Sequence, residues 1–371
     1  MTTDLLINRS NIRDIKFVEV EDSAPLRTNQ IRCKLDQFAF TANNVTYAVA
    51  GDALKYWDFF PAPDGWGKVP VWGFADVVDS AHPDITTGER IYGYWPLATH
   101  LTIDADQVRA SGFVDAVPHR QHLNGIYNSY TRTANSQGFA PELEHLNALL
   151  RPLFTTSFLI DDFLSDNDFF GAEAVIISSA SSKTAFGTAF QLYNNRGERG
   201  ADVQVIGLTS PSNMAVVEGL GCYDQVVAYD DVTEISPETK AAYIDIAGNG
   251  ELRSTVHHHF TDNLVHSSAV GISHWENPAS GSRNLPGARS TFFFAPAQAQ
   301  KRLKEWGPAQ FAEKTANASR HFYQLAAQSL AIIVRTGAVE IFNTYASMVD
   351  GNADPAQAFI LSFNENDVAK S

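Results

Sequence analysis

The hydrophobic pattern of the chain changes near residue 145. Before that point, short apolar runs are separated by glycine, proline and aspartate, which predicts a twisted β-rich domain over residues 1–145. Between Thr41 and Phe60 the apolar residues follow a three- to four-residue spacing instead, which indicates helix. The predicted strands of this domain are residues 31–38, 73–78, 90–94 and 100–103.

From residue 146 to about residue 330, near-continuous apolar runs alternate with stretches of helix length. Strands that are apolar on both faces are typical of parallel sheets covered by helices. Six such strands with helical crossovers predict a doubly wound α/β domain. The strands are residues 174–177, 203–206, 225–227, 242–246, 269–272 and 291–294, and the helices include residues 184–195, 212–220 and 251–260.

The C-terminal part of the chain has a third pattern. It predicts helices over residues 308–330 and 339–349, followed by a strand over residues 358–363. We expect this strand to return to the first domain. Residues 331–371 would then complete the domain formed by residues 1–145, and residues 146–330 would be an insertion into it.

Composition and charge narrow the possible partners. The 371 residues include 27 basic and 42 acidic side chains, a net charge of −15, which disfavours binding to nucleic acid and to anionic membranes. The N-terminus has no apolar signal segment. Cys33 and Cys222 are too few for a disulfide framework or a structural zinc site. We therefore expect a cytoplasmic protein.

The strongest candidate site follows the first strand of the predicted sheet, where residues 178–184 read Ser-Ser-Ala-Ser-Ser-Lys-Thr. Small residues let the backbone approach a pyrophosphate, whose charge would face the N–H groups of the helix N-terminus. The glycines of a dinucleotide fingerprint and of a P-loop are absent, so an ordinary helix start capped by Ser181 or Ser182 is the alternative. The candidate cofactor contacts are Ser179, Ser181, Ser182, Lys183 and Thr184.

The end of the second strand carries no acidic residue. An acid there would bind the ribose of NAD, so its absence favours NADPH over NADH. No arginine or lysine lies in the loop to pair with a 2′-phosphate. The alternative is a helix cap at Ser210, with Pro211 in the first helical position. The candidate contacts are Thr209, Ser210, Ser212 and Asn213.

Two further groups of residues could bind a ligand. His257, His258 and His259 are consecutive on a predicted helix, so they do not converge on one metal ion, and we expect them at the helix surface and edge. An aromatic cluster in the first domain is larger than its core needs, and part of it could line an apolar substrate cleft. Its members are Tyr56, Trp57, Phe59, Phe60, Trp66, Trp72, Tyr92, Tyr94 and Trp95.

Four segments, in their order and spacing, resemble the medium-chain dehydrogenase/reductase superfamily. They are residues 71–80, 87–93, 153–158 and 221–229. Where the zinc alcohol dehydrogenases of that family have a cysteine and a histidine as zinc ligands, this chain has residues 41–44, Thr-Ala-Asn-Asn, and Phe74. The four-cysteine lobe is also missing. The chain is therefore similar to the zinc-free quinone oxidoreductases and enoyl reductases, and we expect no bound zinc.

The resemblance implies a GroES-like β-rich barrel domain and a Rossmann domain with a six-stranded, doubly wound parallel sheet. It implies NADPH in the cleft between the domains and reduction of an electron-poor C=C or C=O of a small apolar or aromatic substrate. It also implies a homodimer joined through the edge strand near Thr291 and Phe294. The further cofactor contacts that it implies are Thr156, Tyr229, Ala247 and Gly271.

Without zinc, a hydrogen-bond donor must polarise the substrate oxygen. A phenol stays protonated near neutral pH, so Tyr47 in the predicted cleft helix is the first candidate and Tyr56 the second. Asn44, which precedes Tyr47 in that helix, is also a candidate catalytic residue. The alternative is that Tyr47 packs in the core and that orientation of the substrate suffices.

Two other functions remain open. One is a non-catalytic binding or regulatory protein that keeps the fold but has lost the cofactor, which the missing glycines favour. The other is a lyase or isomerase without net redox chemistry.

Overall fold

The computed structural model describes residues 2–21, 24–136, 138–199, 202–270, 285–352, 354 and 357–363. The chain divides into two compact units, one formed by Met1–Pro152 with Leu330–Ser371 and the other by Leu153–Ser329. The first part of unit one contains strands β1 (Thr2–Asn8), β2 (Asn11–Val20) and β3 (Gln30–Phe40), helix α1 (Ala42–Val49), and strands β4 (Trp66–Gly67), β5 (Pro70–Ser80), β6 (Arg90–Pro96), β7 (His100–Arg109), β8 (Gly112–Asp115) and β9 (Ser129–Arg132).

Six of these strands close a barrel. The pairing runs β3-β5-β6-β9-β8-β7, and β7 also pairs with the first half of β3. Gly73 allows β5 to cross β3 closely, because a Cβ atom there would lie 2.3 Å from the carbonyl oxygen of Gln37. The barrel interior is filled by apolar side chains such as Phe38, Val71 and Ile91, all fully buried. The predicted GroES-like barrel is confirmed.

Helix α1 is shorter than the hydrophobic spacing predicts. It ends at Val49, and the chain turns at Ala50 and Gly51 so that the indole of Trp57 packs directly on Gly51. A Cβ atom at Gly51 would lie 2.1 Å from Trp57 Nε1, so only glycine permits this contact. Tyr56 therefore lies in a separate one-turn 3-10 helix, Tyr56–Asp58, and not on α1.

The middle of the chain forms a doubly wound sheet. The six strands are parallel and lie in the order β12-β11-β10-β13-β14-β15, which is that of a Rossmann fold, so this prediction is also confirmed. The elements are α2 (Glu144–Asp166), β10 (Ala174–Ser178), α3 (Lys183–Arg199), β11 (Gln204–Thr209), α4 (Met214–Glu218), β12 (Gln225–Ala228), β13 (Ala241–Asp245), α5 (Gly250–Phe260), β14 (Leu264–Val270), β15 (Thr291–Phe293) and α6 (Ala295–Ser329).

Two elements of this sheet domain differ from the sequence-based prediction. The fifth strand begins at Leu264, earlier than predicted, and residues 271 and 272 lie outside the described part of the chain. Helix α6 begins at Ala295. It is bent at Gly307, which has a φ of 79° and directly precedes Pro308. None of the helices in the described ranges is long and apolar enough to cross a bilayer.

The last described segment belongs to the first sheet. It consists of β16 (Ala331–Thr336), α7 (Ala338–Val349) and β17 (Gln357–Ser362). β17 pairs in parallel with β16 and antiparallel with the end of β3, where Phe359 lies opposite Phe40. β16 is not among the strands that the sequence predicts.

Candidate functional site

The turn after β10 is tight although it contains no glycine. Ser179 has a φ of 54°, in the left-handed region that non-glycine residues rarely adopt and that costs about 1–2 kcal/mol. The turn is closed by a hydrogen bond from Ser182 N to Ser179 O, 2.8 Å long. The carboxyl end of the first strand thus leads directly into helix α3.

Close packing explains the small residue in the middle of this turn. Ala180 lies against Gly207 of β11, and a Cβ atom on Gly207 would be 2.9 Å from that of Ala180. The hydroxyl of Tyr223 donates to Ala180 O at 3.0 Å and supports the turn from the sheet side. The glycine that permits close approach therefore lies on the neighbouring strand and not in the turn itself.

Helix α3 begins directly after this turn. Ser182 is its cap, because its Oγ accepts a hydrogen bond from Ala185 N at 3.3 Å and its carbonyl oxygen accepts from Phe186 N at 2.9 Å. Lys183 and Thr184 form the first helical positions and are half-buried. A capped helix start and an anion-binding helix N-terminus are compatible, since the partial positive charge of the helix end remains.

Neutral polar groups surround the end of β11. Thr209 is 1% exposed, and its Oγ1 has no hydrogen-bond partner among the described residues. Ser210 Oγ lies 3.1 Å from Ser212 Oγ, and Asn213 Nδ2 donates to Ser181 Oγ at 3.2 Å, so this loop is joined to the turn after β10. Ser210 precedes a 3-10 helix that begins with Pro211, as the alternative interpretation predicts, but its side chain makes no capping hydrogen bond.

A buried polar network lies below the turn and was not predicted from the sequence. Ser178 Oγ donates to Asp245 Oδ1 at 3.1 Å and accepts from Ile246 N and Ala247 N, both at 3.0 Å. Arg253 Nε donates to Asp245 Oδ2 at 2.8 Å, and both side chains are almost fully buried. The network ties the carboxyl ends of β10 and β13 together at the point where the strand order of the sheet reverses.

These residues fit the pyrophosphate and ribose parts of a dinucleotide. The left-handed Ser179 and the start of α3 provide a tight turn with backbone donors, and the buried Thr209 hydroxyl is an unused polar group at the end of β11. The β11 loop, with Ser210, Ser212 and Asn213, offers hydroxyl and amide groups but no positive charge.

The other predicted cofactor contacts are spread over the sheet domain. Tyr229 lies at the turn: burial raises the pKa of its phenol, and hydrogen bonds with the backbone and side chain of Ser179 oppose the rise. Ala247 follows β13, and its N–H is held by Ser178. Thr156 lies half-buried on α2. Gly271 lies outside the described residues.

In unit one, Asn44 is part of the capping box of α1, in which Thr41 is the N-cap. Its Oδ1 accepts hydrogen bonds from Thr41 N at 2.8 Å and Thr41 Oγ1 at 3.2 Å, and its Nδ2 donates to Pro70 O at 2.9 Å. These bonds fix the start of α1 to β5. They account for both ends of the buried amide, so the predicted catalytic role of Asn44 has no support from its contacts.

The hydroxyl of Tyr47 has a hydrogen-bond partner on its own helix. Its Oη accepts a hydrogen bond of 2.7 Å from Asn43 Nδ2, one helical turn earlier, which leaves the phenolic hydrogen to be donated elsewhere. The residue is 5% exposed, and burial raises the pKa of the phenol, so it stays protonated. Tyr56 packs on it with a centroid distance of 4.3 Å.

Four tyrosines meet around this hydroxyl. Tyr47, Tyr56, Tyr94 and Tyr127 have neighbouring rings with centroid distances of 4.3–6.4 Å, and Trp72 lies 4.9 Å from Tyr94. Burial raises the pKa of Tyr94, and its interaction with the hydroxyl of Tyr47 raises it further. Tyr127, from a 3-10 helix after β8, is a member that sequence reasoning missed. The predicted cluster divides into buried Trp57, Phe59, Phe60, Tyr92, Tyr94 and Trp95 and half-buried Tyr56, Trp66 and Trp72.

We predict that these tyrosines make the protein sensitive to alkali. Burial raises the pKa of Tyr47, Tyr56, Tyr94 and Tyr127. Below about pH 10 both folded and unfolded chains keep the phenolic protons, so these groups add no pH dependence. Above it, only the unfolded chain loses them, and the free energy of unfolding falls by about 1.4 kcal/mol per pH unit for each tyrosine.

Urea unfolding between about pH 9 and pH 11 measures this slope. The Tyr127→Phe variant should show a slope smaller by the contribution of one tyrosine. An identical slope in wild type and variant would show that Tyr127 titrates normally.

The histidine prediction was wrong for one residue. His257 is 1% exposed, because it lies on the same face of α5 as Arg253 and Phe260, which packs into the core. Its Nδ1 lies 2.9 Å from Pro286 O and its Nε2 3.1 Å from Ser267 Oγ, and burial lowers its pKa. His258 is exposed and His259 half-buried. No group of three or more metal-binding side chains occurs within the described ranges.

Several solved structures are similar to this chain over almost its whole length. CurA from Vibrio vulnificus, solved with NADPH, is 10% identical, with 98% of this chain and 99% of CurA covered and a TM-score of 0.58. The yhdH oxidoreductase from Salmonella enterica, solved with NADP, is 16% identical over 98% of this chain and 100% of its own, with a TM-score of 0.54. The quinone oxidoreductase from Coxiella burnetii is 12% identical over 98% and 99%, with a TM-score of 0.53.

At these identities the likeness establishes the fold, which this chain shares with those oxidoreductases. None of the curated proteins compared with the chain matches it. A family model described as "Protein of unknown function (DUF2855)" matches residues 38–354.

Proposed function

The chain belongs to this family of proteins of unknown function, so its activity has to be inferred from its own residues, and we propose that it is an NADPH-dependent reductase. Its substrate would be a small apolar or aromatic molecule with an electron-poor C=C or C=O group. We place the protein in the cytoplasm, because its two cysteines are free and buried, as is common in a reducing compartment.

The observation that carries the proposal is the turn after β10. It combines a left-handed residue, a helix N-terminus and a position at the reversal of strand order, which is where sheets of this type bind dinucleotides. Two of the similar structures were solved with NADPH or NADP, which supports this choice of cofactor. The absence of an acid at the end of β11 favours NADPH over NADH.

We assign the parts of the site as follows. The start of α3 and the turn at Ser179 hold the pyrophosphate, and Thr209 with the Ser210 loop faces the ribose. NADPH, when bound, supplies a hydride. Tyr47 donates a hydrogen bond or a proton from Oη to the substrate oxygen, and Asn43 orients that hydroxyl by donating to it.

We infer that the reaction uses no zinc. Where zinc alcohol dehydrogenases have a histidine ligand, Phe74 offers no donor atom, and its ring packs near Tyr92 and Phe139. At the position of the cysteine ligand, Thr41 caps α1.

The Ser210→Asp variant tests the assignment of the β11 loop. A carboxylate beside the 2′-phosphate should weaken NADPH binding by about tenfold or more, while NADH binding stays unchanged or improves. The Ser210 side chain makes no capping hydrogen bond, so the local structure should survive its replacement. Binding is measured by fluorescence titration, with Ser210→Asn as the neutral control of similar shape. Equal NADPH affinity in the wild type and the aspartate variant would show that Ser210 does not face the 2′-phosphate.

We further propose that the protein is a homodimer joined through β15. This strand lies at the edge of the described sheet, and Phe292 and Phe294, 37% and 49% exposed, present stacked rings there. An exposed apolar edge strand is an aggregation hazard unless it is covered. Light scattering should give the mass of two chains at micromolar concentration, and replacing both phenylalanines with lysine should give that of one. A monomeric wild type would contradict the proposal.

The second candidate is a non-catalytic protein that keeps the fold. One observation favours it. Ser178 Oγ already accepts hydrogen bonds from the N–H groups of Ile246 and Ala247, at the point where the strand order reverses. Such a protein would bind neither NADPH nor NADH.

A further inference from the structure

The hydroxyl of Tyr47 faces three hydrogen-bond donors. Asn43 Nδ2 donates to Tyr47 Oη at 2.7 Å. The indole N–H of Trp72 and the hydroxyl of Tyr94 also donate towards this oxygen. The donors come from three elements of unit one, because Asn43 lies on α1, Trp72 on β5 and Tyr94 on β6. Tyr47 is 5% exposed, so side chains and not bulk water solvate its hydroxyl.

Ring packing holds two of these donors in place. Tyr94 is fully buried and packs edge-on with Tyr47, with ring centroids 6.0 Å apart and an interplanar angle of 80°. Trp72 lies 4.9 Å from Tyr94 and stacks on Tyr92 at 5.7 Å. In a closely packed interior neither ring can turn without moving its neighbours. The donors are therefore oriented before any reaction begins, as effective stabilisation of a developing charge requires.

Three donors around one oxygen suit a phenolate better than a phenol. The oxygen of a phenol accepts with two lone pairs and donates its own hydrogen, so one of the three donors is in excess. Loss of the proton provides a third electron pair for that donor. Burial raises the pKa of Tyr47, and the three donors oppose this rise because a hydrogen bond to the charged form favours that form.

The titratable neighbours of Tyr47 are phenols. Tyr56 packs on its ring at 4.3 Å, and Tyr127 packs on Tyr56 at 6.4 Å and on Tyr94 at 4.8 Å. Burial raises the pKa of Tyr56, Tyr94 and Tyr127, so all three are uncharged near neutral pH. A negative charge on Tyr47 would therefore not meet another one in this cluster.

We propose that the three donors are positioning residues that stabilise a phenolate of Tyr47, so that Tyr47 transfers its proton fully to the reduced substrate. This inference rests on the proposed reductase function. After reduction, the substrate carries a negative charge on its oxygen. The Oη–H bond of Tyr47 breaks, an O–H bond forms on the substrate oxygen, and the electron pair of the broken bond stays on Tyr47. A proton from water then restores the phenol.

The ionisation of Tyr47 can be measured without cofactor or substrate. Tyr47 is replaced in the full chain by tetrafluorotyrosine, which has nearly the same shape and a much more acidic phenol, and its ¹⁹F resonances are followed against pH. Tyr94→Phe and Trp72→Phe should each raise the pKa of this label by about one pH unit or more, the effect of losing a hydrogen bond to a charged group.

Tyr127→Phe is the matched control. It removes a hydroxyl from the same cluster, but this hydroxyl interacts with Tyr56 and is not one of the donors to Tyr47. Its interaction with Tyr47 raises the pKa of Tyr47, so its removal should leave the pKa of the label unchanged or lower it. The sign of the shift thus separates loss of a donor from a general disturbance of packing.

Turnover provides a second measurement. With unlabelled Tyr47, Tyr94→Phe should lower kcat about tenfold at unchanged KM and NADPH affinity, because the lost bond forms fully only with the phenolate.

Equal label pKa values in the wild type, Tyr94→Phe and Trp72→Phe overturn the proposal, and so does a wild-type label that stays protonated up to about pH 10. Tyr94→Phe removes only a hydroxyl, so it provides the test should Trp72→Phe fail to fold. The titration needs neither NADPH nor substrate, so its failure can be told apart from a failure of the proposed reductase function.

Discussion

Replacing Tyr47 with phenylalanine should lower the turnover number by about 10²- to 10⁴-fold, the range for loss of a general acid or an oxyanion donor. The change removes one hydroxyl and keeps the ring that packs on Tyr56 and Tyr94. Folding and NADPH affinity should therefore survive. The measurement is NADPH oxidation with the first electron-poor alkene or carbonyl compound that the wild type reduces.

Two control variants separate chemistry from packing. Tyr56→Phe removes a hydroxyl from the neighbouring ring and should have a much smaller effect. Asn43→Ala removes the amide that donates to Tyr47 Oη and should lower turnover by an intermediate factor. Equal losses at Tyr47 and Tyr56 would point to packing, and full activity in Tyr47→Phe would remove Tyr47 from the mechanism.

A large effect on stability is expected at Arg253. Arg253→Met leaves the carboxylate of Asp245, which is fully buried, without its charged partner. Breaking a buried ion pair in this way costs about 3–5 kcal/mol of unfolding free energy. Urea unfolding of the variant measures the loss.

The control is Lys301→Met, which breaks a half-exposed ion pair with Asp166 and should cost about 0–1 kcal/mol. The double variant Arg253→Met with Asp245→Asn should recover part of the stability, because no uncompensated charge remains. A loss at Arg253 no larger than that at Lys301 would contradict the role of the buried pair.

The sheet domain could be predicted because its central strands are surrounded by apolar side chains on both faces. Every residue of β10 and β13 is buried, so their sequences are continuous apolar runs. The predicted strand began at residue 269, after the true start of β14 at Leu264, because the buried Ser267 and Ser268 interrupt the apolar pattern. Their hydroxyls are paired with His257 and His266, and such tertiary pairing leaves no periodic signal.

Polar contacts were harder to predict than strands. Asn43 and Tyr47 are four residues apart on one helix, so their contact could have been found from spacing alone. Asp245 and Arg253, in contrast, meet only because the start of α5 packs at the end of β13. Tyr127 lies in an isolated 3-10 turn, where no hydrophobic periodicity marks it as part of the tyrosine cluster. β16 escaped prediction because it is half-exposed and its pattern is mixed.

The proposed reductase activity requires that this chain bind NADPH. Equilibrium dialysis of the full chain against NADPH and, separately, NADH tests it most directly, because it needs no substrate. We expect saturable binding of one NADPH per chain, tighter than the binding of NADH. Retention of neither nucleotide would contradict it and would favour a non-catalytic protein with a reductase fold.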